Sequence, residues 1–155
     1  MNLPKTILVA TDFSQPADEA LDYAISLADK IGASITVLHA YDVPSMGVPT
    51  GALLTSTDVA GQLRTSAQAA LEAAVAKRKK GGVQMATLLK MGDARESIPA
   101  VAHDIAADLI VMGTHGRRGI ARALLGSVAE TVVRTASCPV LTIRAVTSGS
   151  AAAKP

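Results

Sequence analysis

The chain has 155 residues, a length typical of one domain that can bury a sizeable core. Its net charge of +2 is too small to indicate binding to nucleic acid or to an anionic membrane. Two tyrosines, one phenylalanine and no tryptophan leave little aromatic surface for stacking on single-stranded nucleic acid. No apolar run has the length of a membrane span, no signal-peptide pattern is present, and a single cysteine allows no internal disulfide. Together these features predict a soluble cytoplasmic protein.

Apolar and helical patterns alternate along the first half of the chain. Residues 5–10 form an apolar strand, and Ser14 can cap a helix that runs to Lys30. A second strand is predicted at 34–41. The segment 42–56 is rich in proline and glycine and is predicted to be a long surface loop, of a kind that is often functional.

The same alternation continues in the second half. Helices are predicted at 57–80, 94–106 and 127–136, and strands at 84–91, 108–112 and 139–144. Val59, Leu63 and Leu71 share one face of the first of these helices. Strands that alternate with helices predict a single α/β domain, with an open parallel sheet and helices on both faces. The common strand order for five such strands is 2-1-3-4-5.

The most informative segment lies between the fourth predicted strand and the helix that follows it. It has the pattern Gly113, two residues, Gly116, nine residues, Gly126-Ser127. Glycines let a backbone approach a ligand closely, and a helix start offers free N–H groups to an anion. The segment therefore predicts a phosphate-binding loop, although turn formation and helix capping would also explain the glycines and the serine. The spacing excludes the Rossmann fingerprint, and the absence of a lysine before Ser127 excludes the P-loop.

At this loop the chain resembles the ATP-binding branch of the universal stress protein family, which carries the same glycine pattern after its fourth strand. Three other segments share the likeness: Ile7–Ser14, Val37–Ala40 and Ser137–Ile143. The resemblance covers roughly residues 4–145, and the domain is placed at 1–145 with a disordered tail expected at 146–155. For the sheet, the resemblance implies the order 3-2-1-4-5 instead of 2-1-3-4-5.

The resemblance also implies a nucleotide site. In the family, the positions of Gly116 and Gly126-Ser127 hold the phosphates, and those of Met112 and Gly113 lie against ribose and base. Asp12 is expected to accept hydrogen bonds from ribose hydroxyls or to meet a metal ion through water, and an Asx turn is its simpler role. The full expected set is Ala10, Thr11, Asp12, Ala40, Met112, Gly113, Gly116, Gly126, Ser127 and Val128. His115, Arg117 and Arg118 add positive charge from the spacer, either for the phosphates or as a solvated surface.

By the same resemblance, the protein is expected to be an ATP-binding homodimer of the stress response, paired through its last strand. Val140, Leu141 and Ile143 are the expected interface residues, although they also suit a buried strand. Magnesium or manganese would be held through the phosphates, without a metal-binding cluster of side chains. Hydrolysis is expected to be slow at most. Two alternatives stay open: a module for another adenine nucleotide such as cyclic AMP, and an ATP-hydrolysing enzyme of the same fold.

The remaining candidates are interpreted as structural. His39, His103 and Cys138 have no metal-ligand spacing among them. The basic run 77–80 ends a predicted helix, where positive charge complements the helix dipole.

Overall fold

The structure, a computed structural model, describes residues 3–42, 53–78, 82–115 and 125–144, and the side chains of these residues except 53–58. Most of the predicted loop 42–56 and the whole predicted tail 146–155 lie outside these ranges. The elements in chain order are β1 Thr6–Ala10, α1 Gln15–Ile31, β2 Ser34–Tyr41, α2 Leu53–Ala76, β3 Met85–Met91, α3 Ala94–Asp104, β4 Leu109–Gly113, α4 Ser127–Thr135 and β5 Val140–Ile143.

The five strands form one parallel sheet in the order β3-β2-β1-β4-β5. This confirms the α/β fold and the order implied by the family resemblance, and it shows that the common order 2-1-3-4-5 does not apply. In the centre of the sheet, β1 pairs with β2 and with β4, so that Ala10 lies between Leu38 and Met112. All five carboxyl ends therefore lie along the same edge.

Alternate strand residues build two cores on opposite faces of the sheet. Ile7 and Val9 pack with α1 and α2, whereas Leu8 and Ala10 pack with α3 and α4. Ile7, Leu8 and Val9 are fully buried. Burial of each such side chain stabilises the fold by roughly 1.5–3 kcal/mol, so the central strands contribute a large share of the free energy of folding.

The first helix begins and ends at residues that the sequence marks. Ser14 has the extended backbone of an N-cap, but its hydroxyl makes no capping bond and instead donates to Asp12, so the predicted side-chain cap is wrong. Gly32 ends the helix with a left-handed φ of 70°, and its N–H donates to the carbonyl of Ala28.

The second helix differs most from its prediction, because it begins at Leu53 and ends at Ala76 instead of spanning 57–80. A turn follows its last residue, and the guanidinium of Arg78 in that turn binds Asp22 at 2.6 Å and Asp18 at 3.1 Å on α1. Val59 and Leu63 are 48% and 40% exposed, so only the later part of the predicted face, with Leu71, is buried. No helix within the described ranges is long and apolar enough to cross a membrane.

The third helix also stops early. It ends at Asp104 instead of 106, because Ala106 takes a left-handed φ of 49° that cannot continue a right-handed helix.

A carboxylate joins the starts of the two central strands. Asp108 Oδ2 accepts hydrogen bonds from the N–H groups of Lys5 and Thr6, at 2.8 and 2.9 Å. These two backbone donors hold the pKa of Asp108 below its ordinary value of 3.8. The side chain thereby supports the pairing of β1 with β4 at the end opposite to their carboxyl edge.

Replacing this carboxylate should destabilise the protein in a pH-dependent way. Asp108→Asn is expected to lower the urea midpoint at pH 7, because the neutral amide is a weaker acceptor for two N–H groups. A carboxyl whose pKa is depressed by folding stabilises above its unfolded pKa of about 3.9, and the stabilisation is lost as pH falls through the folded value. The gap between variant and wild type should therefore narrow as pH falls below the unfolded pKa and close once it has fallen through the depressed folded pKa.

Asp29→Asn, at an exposed position on α1, is the matched control and should leave the midpoint at pH 7 almost unchanged. Equal midpoints for wild type and Asp108→Asn at pH 7 would contradict this account of the carboxylate.

Candidate functional site

A cavity of about 810 Å³ opens at the carboxyl ends of β1 and β4. After β1 the chain proceeds to β2, and after β4 it proceeds to β5 on the other side, so the two connections diverge between neighbouring strands. Such a divergence leaves a crevice at which open parallel sheets bind ligands. The described walls come from the ends of β1, β2 and β4 and from the starts of α3 and α4.

This single cavity brings together every predicted nucleotide-site residue that lies within the described ranges. They are Ala10, Thr11, Asp12, Ala40, Met112, Gly113, Gly126, Ser127 and Val128, together with the charged-spacer residue His115. The predicted residues Gly116, Arg117 and Arg118 lie outside the described ranges. The strand order explains the convergence, since it places segments from opposite ends of the sequence side by side.

The floor of the cavity is apolar, and its side chains are either small or buried. Leu38 and Met112 are almost completely buried, and Ala10 between them is 8% exposed. Ala10 and the half-buried Ala40 have no side chain beyond Cβ, so they leave space above the sheet for a flat group. The floor thus suits an apolar or aromatic part of a ligand.

One wall is the turn that carries Asp12. Asp12 Oδ1 accepts a hydrogen bond from the N–H of Ser14 at 3.1 Å, and the Thr11 hydroxyl oxygen accepts one from the N–H of Phe13 at 3.0 Å. Phe13 takes a left-handed φ of 63°, which costs a residue other than glycine roughly 1–3 kcal/mol. The Asx turn expected as the simpler role of Asp12 is therefore present, and it fixes the position of the carboxylate at the cavity.

Gly113 is required by the packing of α1. A Cβ at this position would lie 2.9 Å from the backbone carbon of Pro16 and 3.1 Å from the backbone nitrogen of Ala17. Its backbone also lines the cavity. Glycine therefore lets the start of α1 pack closely against β4. The helix α1 in turn covers the face of the sheet opposite to the floor of the cavity.

The opposite wall is the start of α4. Gly126 occupies the N-cap with φ −74° and ψ 157°, and its N–H donates to the carbonyl of Thr114 at 2.7 Å. Ser127 is the first residue of the helix, so the alternative in which its hydroxyl caps the helix does not apply. The first helical hydrogen bond runs from Glu130 to Gly126. The N–H groups of the residues between them, Ser127 to Ala129, have no acceptor within the helix and belong to residues that line the cavity.

The start of α3 adds a charged wall that the sequence interpretation missed. Asp93 caps α3 by accepting from the N–H of Arg95 at 2.7 Å, and its carboxylate also binds the Arg95 guanidinium at 2.6 Å. The side-chain hydrogen bond from Arg95 is the main cause that lowers the pKa of Asp93, and the same bond raises that of Arg95. The available signal was the position of Asp93 just after β3, at the same carboxyl edge as Asp12.

The start of the glycine-rich loop is itself anchored to the sheet. The N–H of Thr114 donates to the carbonyl of Ile143 on β5 at 2.8 Å, and Thr114 Oγ1 lies 3.0 Å from Nδ1 of His115. His115 therefore stands at the cavity on a fixed stretch of backbone.

The sequence predicted no cluster of metal-binding side chains. Within the described ranges, no three or more His, Cys, Asp or Glu residues are arranged to hold a metal ion. Burial raises the pKa of the Cys138 thiol, in keeping with its interpretation as a structural residue.

Comparison with known proteins identifies the family. The profile of the universal stress protein family matches residues 4–144. The chain belongs to the universal stress protein family. Universal stress protein MJ0531 of Methanocaldococcus jannaschii is 37% identical over 145 residues, which cover 92% of this chain and 84% of that protein.

Solved structures of the family share the fold. Hypothetical protein MJ0577 superposes with a TM-score of 0.81 at 27% identity, covering 93% of this chain and 98% of the other. A universal stress protein in complex with cAMP gives a TM-score of 0.60 at 26% identity, covering 94% of this chain and all of the other.

Proposed function

We propose that this protein binds an adenine nucleotide, with ATP as the principal ligand, in the cavity at the carboxyl ends of β1 and β4. The observation that carries the proposal is that one cavity combines an apolar floor of small or buried side chains with the start of α4. The floor suits a base, and the helix start suits phosphates. A nucleotide needs an apolar slot for its base and hydrogen-bond donors for its phosphates. Membership of the universal stress protein family supports the proposal, as does the cAMP complex of a related protein.

The base would lie over the floor. Ala10 and Ala40 leave space above the sheet for the flat ring of the base, and Met112 supplies an apolar, polarisable surface. The Asp12 carboxylate, held by its turn, would accept hydrogen bonds from the ribose hydroxyls. In this arrangement, polar recognition is confined to the sugar and the phosphates, and the base is selected by shape and by backbone groups.

The phosphates would lie at the start of α4. The N–H groups of Ser127, Val128 and Ala129 stand at the positive end of the helix dipole, which favours an anion. The Ser127 hydroxyl, which is not used as a cap, adds a further donor. Magnesium or manganese would be carried by the phosphates, and the Asp12 carboxylate is the nearest candidate for a contact through water.

Hydrolysis, in this proposal, is slow at most. Both carboxylates on the described cavity wall already accept hydrogen bonds: Asp12 from Ser14, and Asp93 from Arg95. Arg95 lowers the pKa of Asp93, which makes that carboxylate a weaker general base. The protein would therefore act as a nucleotide-dependent component of the stress response in the cytoplasm, with ATP favouring one conformation or partner.

A second candidate ligand is cyclic AMP, favoured by the related protein that was solved with it. Cyclic AMP has one phosphate and no free 3′-hydroxyl, so it would make less use of both Asp12 and the start of α4. Its affinity relative to ATP therefore separates the two candidates.

We also propose a homodimer through β5. This strand is at the edge of the sheet, and its residues Val140, Leu141 and Ile143 are only half-buried. An apolar edge strand with unpaired backbone groups is well suited to pairing with a second copy.

A calorimetric titration with ATP, GTP, AMP and cyclic AMP tests the proposed function. We expect ATP to bind more tightly than GTP, because guanine carries both an amino and an oxo group where adenine carries one amino group, and the described floor of Ala10, Leu38, Ala40 and Met112 is apolar. We expect ATP to bind more tightly than cyclic AMP, because only ATP reaches the donors of α4. Equal affinity for ATP and GTP would contradict the adenine site, and tighter binding of cyclic AMP would favour the second candidate.

The variant Gly126→Val tests the phosphate end. Its Cβ would lie 3.1 Å from the carbonyl oxygen of Thr114, so that neighbour must give way by a few tenths of an ångström, and a branched side chain would stand where the N–H groups should meet the anion. Losing one or two charge-assisted hydrogen bonds of about 1.5–3 kcal/mol each should weaken ATP ten- to several-hundred-fold. Gly82→Val is the control, because a Cβ at Gly82 meets nothing within 4 Å. Melting temperatures must accompany both titrations, and full ATP affinity in folded Gly126→Val would place the phosphates elsewhere.

The dimer is tested by Val140→Lys and Leu141→Lys. Each puts a charge into the proposed interface and should shift the protein towards monomer in sedimentation equilibrium. Val133→Lys on α4, an exposed apolar position, is the control that should not change the mass. A wild-type protein that is monomeric at micromolar concentration would overturn the proposed dimer.

A further inference from the structure

The side chain of His39 contacts the turn that carries Asp12. Its ring Nδ1 lies 2.8 Å from the carbonyl oxygen of Thr11. A carbonyl only accepts hydrogen bonds, so Nδ1 must carry a hydrogen and donate it. The ring of His39 also packs on the ring of Phe13, with centroids 4.4 Å apart and planes inclined by 41°. His39 therefore holds the residue before Asp12 and the residue after it.

These contacts come from the far face of the sheet. On β2, Ile35 and Val37 belong to the core beneath α1 and α2, and His39 continues their alternation. Phe13 packs against the same core. The neighbours Leu38 and Ala40 line the cavity on the other face. His39 is thus placed to act on the cavity through the turn.

The turn has a conformation that needs such support. Phe13 has a left-handed φ of 63°, which is unfavourable for an aromatic residue and is maintained only where surrounding contacts determine it. The hydroxyl of Thr11 and the carboxylate of Asp12 supply bonds from within the turn. From outside the turn, the N–H of Thr11 donates to the carbonyl of Leu38 at 2.9 Å, and His39 adds a side-chain hydrogen bond and a ring contact.

We propose that His39 is a positioning residue that sets the Asp12 carboxylate for the ribose hydroxyls, and so controls the preference for ribose over dideoxyribose. The inference rests on the proposed nucleotide site and assigns a function to a histidine that its sequence context marks only as structural. In this proposal, His39 does not contact the nucleotide. It fixes the turn 11–14, and Asp12 in that turn accepts the hydrogen bonds from the ribose.

The test compares ATP with 2′,3′-dideoxy-ATP on wild type, His39→Leu and His39→Asn. Leucine removes both the donor and the ring, whereas the asparagine amide keeps an N–H near the position of Nδ1. His39→Leu should weaken ATP by about three- to tenfold, the range for one lost hydrogen bond, and should leave dideoxy-ATP unchanged. His39→Asn should recover most of the ATP affinity. The ¹⁵N shifts of the wild-type ring should show a protonated Nδ1 at neutral pH.

Each outcome is decisive for one claim. An equal loss for both nucleotides in His39→Leu, unchanged ATP binding, or a wild-type ring protonated at Nε2 alone would overturn the positioning role. If His39→Leu does not fold, His39→Phe, which keeps an aromatic ring without the donor, takes its place, with the same loss for ATP and the same unchanged dideoxy-ATP expected. Wild type that binds no adenine nucleotide would overturn the proposed function, and the inference with it.

Discussion

The pairing of β1 with β4 is the contact on which the rest of the structure depends. It joins Ile7–Ala10 to Leu109–Met112, two segments about a hundred residues apart in the chain. The entropy cost of closing so long a loop is offset by the burial of Ile7, Leu8 and Val9 against Ile110 and Val111. Asp108 supports the same pairing from the amino end of the strands.

The same pairing creates the cavity at the carboxyl end. Because β1 leads to one side of the sheet and β4 to the other, the Asp12 turn and the start of α4 face each other across the gap. Gly113 allows α1 to pack closely behind β4, and Thr114 ties the loop to β5. The described walls are therefore held by backbone packing, and a preformed site of this kind would lower the entropy cost of binding a ligand.

The sequence predicted the order of helices and strands because its buried strands are short apolar runs between clear helix signals. The strand order was different: the residues alone favoured 2-1-3-4-5, and the observed order came from the family resemblance. The helix α2 was predicted to reach residue 80 but ends at Ala76, and Arg78 beyond it binds Asp18 and Asp22 of α1, partners that are distant in sequence. The predicted cap at Ser14 was wrong, because a hydroxyl near a helix start is typical of a cap but this one donates to Asp12 instead.

In the candidate site, the glycine pattern and Asp12 were found because they stand directly after predicted strands, and the topology brought them together. Asp93 also follows a predicted strand, but the sequence does not show that Arg95 pairs with it or that the start of α3 lies at the cavity. That placement depends on the packing of α3 over β2. The contacts of His39 depend on the left-handed backbone of Phe13, for which the sequence offers no signal.

The most direct test of the central claim is a map of backbone amide shifts during titration of the ¹⁵N-labelled protein with magnesium ATP. The account predicts that the largest changes fall on the Asp12 turn, on Met112–His115 and on Ser127–Ala129, with small changes beneath α1 and α2. Saturable changes confined to the α1 and α2 face, or no changes at millimolar ATP, would contradict it.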